Sequence, residues 1–128
     1  MKKIACLLAT AFVLIASVQG QKKEPWKEMS DFHTVMSETF HPAEEGKLGP
    51  IKSRSQEMVD KAVAWQKSTA PEGYDKNAVK KLLKKLVDGS KELNKLVKES
   101  AADNVLTEKL SGLHDVFHEI MEKAGGHH

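Results

Sequence analysis

Leu113-His114-Asp115-Val116-Phe117-His118-Glu119-Ile120-Met121 is the stretch on which the reading of this chain turns. Leu113, Phe117 and Ile120 recur at spacings of four and three, the period of a helix with one apolar stripe. The stripe runs back through Leu110 and Leu106, so the spacing predicts a helix from about Asn104 to Ala124, closed by Gly125-Gly126. His114 and His118 stand four residues apart within it, one turn above each other, so both imidazoles can reach one object beside the helix.

Working backward, Ser100-Ala101-Ala102-Asp103 supplies a turn and a cap, and the preceding segment shows the same period in Val79, Leu82, Leu83, Leu86, Ser90, Leu93 and Val97. Asp75 or Asn77 can cap that third helix. Its lysines, Lys80, Lys81, Lys84 and Lys85, fall largely on the opposite, solvated face. Ser68-Thr69-Ala70-Pro71-Glu72-Gly73 ends a second helix whose seam is Leu48, Ile51, Ser55, Met58, Ala62 and Trp65. The first helix begins at Pro25 and carries Trp26, Met29, His33, Met36 and Phe40 on one stripe. Pro42 disfavours a helical conformation at His41, so this helix is expected to stop near Phe40 and leave His41 in the corner. Four helices with short connections and no alternating strand pattern predict an all-α, antiparallel up-down-up-down four-helix bundle.

The chain opens Met1-Lys2-Lys3, continues through the apolar run Ile4 to Val18 and turns polar after Gly20, the layout of a secretory signal peptide over residues 1–20. Residues 21–128 are then one domain with flexible ends, and the address is the periplasm. The apolar run is shorter than the roughly 20 residues that span a bilayer, so no integral span is expected after signal cleavage. Cys6, the one cysteine, lies inside the run, which leaves the exported part without thiolate ligands, disulfides or a covalent haem attachment. Without Lys2 and Lys3 the 20 basic residues fall to 18 against 18 acids, and a near-neutral chain excludes a nucleic-acid partner.

Residues equidistant from a turn face each other across antiparallel helices, which places His33, Ser55, Gly89, Ser90, Gly112 and His114 in one layer of the bundle. A layer of small and polar residues fills a bundle poorly, since a methylene-sized void costs on the order of 1 kcal/mol. A transition-metal ion held by His33, His114 and His118 in the bundle core would fill it, with Met36 or Met29 as a further ligand. Imidazole suits zinc, copper or nickel. The expected function is therefore metal binding or buffering. His41 with Glu44 and Glu45 is a second, weaker metal set at the first corner, although the two acids equally complement the positive start of the second helix. His127-His128 is a flexible tail capable of adventitious binding.

An enzyme is not favoured. Glu38-Thr39-Phe40-His41 has the Glu-x-x-His spacing of di-iron bundles, but a second such pair and two further inward glutamates are missing, as are phosphate-loop, nucleophile-elbow and zinc-protease motifs. A cofactor-free helical interaction module is a further alternative.

Over its exported part the chain resembles the soluble periplasmic cytochromes b, four-helix bundles that share their architecture with cytochrome c prime. The likeness lies in length, helix order and leader, in Ala64-Trp65-Gln66-Lys67-Ser68-Thr69-Ala70-Pro71, and in Phe117-His118. It implies a non-covalent haem b serving electron transfer, with Met29 on the first helix and His118 on the last as axial ligands. His33, His114 and the His41-Pro42-Ala43-Glu44-Glu45-Gly46 corner have no part in that scheme.

Overall fold

A computed structural model describes residues 25–126; the expected signal segment, the Gln21–Glu24 lead and His127-His128 lie outside the described residues. Four helices follow one another: α1 (Lys27–Glu44), α2 (Gly49–Lys67), α3 (Lys80–Lys98) and α4 (Asp103–Met121). A 3-10 turn (Asn77–Val79) leads into α3, and a π turn (Glu122–Gly126) follows α4. Each helix packs on the next and α4 returns to α1, which closes the antiparallel four-helix bundle that the periodicity predicts.

The last three seams are where their spacing puts them. Ile51, Ser55, Met58, Ala62 and Trp65 of α2 are buried, as are Leu83, Leu86, Ser90 and Leu93 of α3 and Leu106, Leu110, Leu113, Phe117 and Ile120 of α4. Asp75 caps the entry to α3, its Oδ1 accepting from the Ala78 N–H at 3.2 Å.

α1 departs from the expectation in two ways. It does not stop at Phe40: it continues through Pro42 to Glu44. Gly46, at φ 83°, closes the helix in a left-handed conformation, with its N–H on the Ala43 carbonyl (3.0 Å) and the Lys47 N–H on the Pro42 carbonyl (2.9 Å). Those paired bonds form a Schellman cap, and together with the burial of Ala43 they hold the extra turn against the bias that Pro42 places on His41. His41 is therefore an exposed helical residue, not a corner residue. The stripe is also rotated: Phe32, Val35, Met36, Thr39, Phe40 and Ala43 face inward, Met29 is half-buried, and His33 is exposed.

The expected layer accordingly separates into independent pieces. Gly89 is filled by protein, because a Cβ there would lie 2.6 Å from Leu113 Cδ2, so the Leu113 side chain nests on α3. Gly112 faces open space. Ser55 is buried and donates to Asn94 Oδ1 at 2.7 Å, while Asn94 Nδ2 donates to Gln56 Oε1 at 2.9 Å, joining α2 to α3. Thr39, also buried, donates to the carbonyls of Val35 and Met36 within its own helix. At the end of the bundle where α1 starts, Trp26, Phe32, Trp65, Tyr74 and Phe117 interlock with ring centroids 5.4–6.0 Å apart. Trp26 Nε1 donates to Ser68 Oγ (2.8 Å), and the Asp75 N–H reaches the Ala124 carbonyl (3.1 Å), so the loop after α2 ties down the start of α1 and the end of α4.

Candidate metal centre

Four histidines lie along the outer seam between α1 and α4. His114 and His118, one turn apart on α4, bring their Nε2 atoms to 3.2 Å. His114 stacks on Phe40 of α1 with centroids 4.0 Å apart and planes 13° apart, which fixes the plane of its imidazole against the core. Phe40 also borders His41, at 6.1 Å, and Phe117 borders both His118 (5.8 Å) and His33 (5.1 Å). The sequence produces this row because each histidine is the neighbour of Phe40 or Phe117 in the chain or in space. The order along the seam is His33, Phe117, His118, His114, Phe40, His41.

The three histidines expected in the core are thus on its rim. His114 is half-buried and His33 and His118 are exposed, because each sits about 100° away from an inward-facing neighbour, Phe32, Leu113 or Phe117. The pair on α4 converges as its spacing predicts, and His33 joins the row through Phe117. Met36 is buried among apolar neighbours, and Met29 is partly buried and packs against the core.

Burial is the largest influence on His114 and holds its pKa below the ordinary imidazole value. His118 adds to that depression and His41 contributes slightly, while Asp115 and Glu44 pull the other way. These influences favour the neutral ring, whose lone pair is the one a metal ion binds. Those same influences locate His41, Glu44 and Asp115 in the electrostatic neighbourhood of the pair.

The corner set is divided. His41 Nδ1 lies 3.6 Å from Glu44 Oε1, both exposed, whereas Glu45 turns to Lys47 at 3.6 Å. Glu38 is drawn across to α2, where Arg54 Nη1 meets its Oε1 at 2.6 Å and Arg54 Nε meets Glu57 at 2.8 Å. Glu38 is thus paired with Arg54 and His41 with Glu44. Among the described residues, no group of three or more histidine, cysteine or acidic side chains converges on one point.

Phe32, Trp65 and Phe117 are buried in mutual contact, with Phe117 beside His118, in the interior that a haem held by Met29 and His118 would share. A surface cleft of about 720 Å3 lies between α3 and α4, lined by Lys81, Lys85, Gly89, Gly112 and Leu113 among others, on the far side of α4 from the histidines. Among the described residues no helix is long and apolar enough to cross a membrane.

Two features of the site and its surroundings have no clear signal in the sequence. The spacing places Phe40 on the core stripe but does not reveal its second role as the platform for His114. Asn94, beside Leu93 on α3, gives no sign of its pairing with Ser55. Comparison of the chain with protein-family models, curated proteins and solved structures finds no match.

Proposed function

We propose that this bundle binds a transition-metal ion on the α1/α4 seam, with His114 and His118 as the primary ligands. The observation that carries the reading is the 3.2 Å separation of their Nε2 atoms. Two nitrogens bound at about 2.0–2.1 Å to one tetrahedral ion stand roughly 3.3 Å apart, so the separation matches a chelate in which the ion replaces the proton the two rings share. A helix supplies that geometry at low entropic cost because it already holds both side chains on one face. The stacking of His114 on Phe40 supports the same reading, since a fixed ring loses less freedom on binding.

Two imidazoles leave two positions of a four-coordinate ion. His41 and Glu44 are the nearest ligands by side-chain rotation from α1, with water as the default occupant. Zinc, copper and nickel all accept such a donor set, and binding or buffering of the ion, not catalysis, is the function the residues support. His33, separated from the pair by Phe117, has a secondary role, and so do Met29 and Met36.

The test is a chelator-competition titration of Zn2+, Cu2+ and Ni2+ on protein lacking His127-His128. His114→Ala and His118→Ala should each lower affinity on the order of a hundredfold, and His33→Ala by much less. Affinity should also fall below about pH 6 as the imidazoles protonate. Wild-type affinity no tighter than that of the double variant would overturn the assignment.

A further inference from the structure

The formal charges are distributed unevenly among the helices. α1 carries Glu28, Asp31, Glu38 and Glu44 against Lys27, and α4 carries Asp103, Glu108, Asp115 and Glu119 against Lys109. α3 carries seven lysines against Asp88 and Glu92, and all seven are exposed. At about 100° per residue, Lys80, Lys84, Lys91, Lys95 and Lys98 fall within an arc of roughly 60° along the whole helix. Among the described residues, Lys84 alone of these five is in an ion pair, with Asp88 at 2.8 Å. Lys80, Lys91, Lys95 and Lys98 form no ion pair among the described residues, unlike Arg54, which is held between Glu38 and Glu57.

The composition of the face selects the kind of anion it fits. A protein interface draws its affinity from apolar or aromatic anchors at its centre. The α3 face offers none: among the described residues the large apolar side chain that is well exposed is Val105, on α4. Nucleic-acid backbones are usually gripped with arginine forks and aromatic stacking, and α3 contains neither arginine nor an aromatic residue. A lipid headgroup layer needs only a row of cations within a Debye length, with each lysine raising the partition constant about fivefold. Because the apolar face of α3 is already buried in the core, contact would stay at headgroup level without insertion.

We propose that the lysine face of α3 docks the protein on an anionic phospholipid surface, with the α1/α4 histidine seam turned away from it. The histidine seam lies between α1 and α4, so docking through α3 leaves it open to solvent, while Glu108, Asp115 and Glu119 of α4 share the α3/α4 cleft with Lys84 and border the docked face. Docking of this kind follows from the lysine row of α3 and does not depend on metal binding.

The test is co-sedimentation with vesicles of equal parts phosphatidylcholine and phosphatidylglycerol, against phosphatidylcholine alone, at low and at high salt. Protein beginning at Gln21 is used, which retains every residue of the core cluster and excludes the apolar leader. The expected result is binding to the anionic vesicles at low salt that is abolished at high salt. The triple variant Lys84→Glu, Lys91→Glu, Lys95→Glu should lose at least about a hundredfold in partition constant, and the matching triple alanine variant should lose an intermediate amount. Lys27→Glu, on α1, should change it less than about threefold. Circular dichroism checks that the variants stay helical. Equal binding to both vesicle types, no binding to the anionic ones, or equal losses for Lys27→Glu and the triple variant overturns the proposal. Preference for a nucleic-acid duplex over the anionic vesicles at the same salt assigns the face to a different polyanion and overturns it as well.

Discussion

Ser55 and Asn94 show how a polar pair can occupy a bundle core without a cofactor. The hydroxyl donates to a carbonyl oxygen 2.7 Å away, and the amide nitrogen of Asn94 reaches outward to Gln56, so each buried polar atom of the network has a partner. Removing one member strands the other. Ser55→Ala should therefore cost about 1–3 kcal/mol in urea unfolding, and Ser55→Ala with Asn94→Leu should recover at least half of it, because no orphaned amide oxygen remains. His114 makes a second prediction. Its folded-state pKa is depressed, chiefly by burial, so its contribution to stability is complete above the ordinary imidazole value and is lost as the pH falls through the lowered one. Metal-free protein should lose unfolding free energy between about pH 7 and about pH 5, and His114→Gln should lose less over that range, as measured by urea titration at each pH. A steeper loss in the variant would contradict the assignment of that depression to burial.

At the scale of the helix, the lessons lie in α1 and in the contact between α3 and α4. Both Trp26-Met29-His33-Met36-Phe40 and Phe32-Val35-Met36-Thr39-Phe40-Ala43 satisfy a helical spacing, and they differ by a partial turn about the axis. Sequence periodicity alone does not separate them, because methionine and histidine tolerate either a core or a rim. Packing does, since Phe32 meets Phe117 and Trp65 across the bundle. α2, α3 and α4 each offer one continuous stripe, and their seams are legible for that reason. Pro42 misleads because its local bias carries no information about the Schellman cap that Gly46 makes four residues later. The glycines of the α3/α4 contact make a paired prediction. A methyl group added at Gly112 would meet nothing within 4 Å, so Gly112→Ala should stabilise the protein by up to about 1 kcal/mol through helix propensity. In Gly89→Ala the same gain is opposed by the approach of Leu113 Cδ2, and this variant should be less stable than Gly112→Ala by about 1–3 kcal/mol in the same assay.

Across the whole molecule, the four-helix architecture is readable from spacing and turn signals, whereas the site is readable only in part. The convergence of His114 and His118 follows from their separation in sequence, but the burial of a neighbouring helix face depends on the rotation of α1, which places His33 outside and Phe40 under His114. The lysine row of α3 is hidden by the near-neutral total. That seam also has a place in the order of assembly. Each consecutive pair of helices can dock as soon as its short connection has turned, while α1 and α4 meet along a shorter boundary that closes only when the rest of the chain is in place. The residues from Glu44 to Asp103 form the loop that this boundary closes. An ion shared between His114, His118 and side chains of α1 would therefore act as a clasp on the longest loop of the fold, opposing the first separation of α1 from the bundle and slowing unfolding more than it hastens folding.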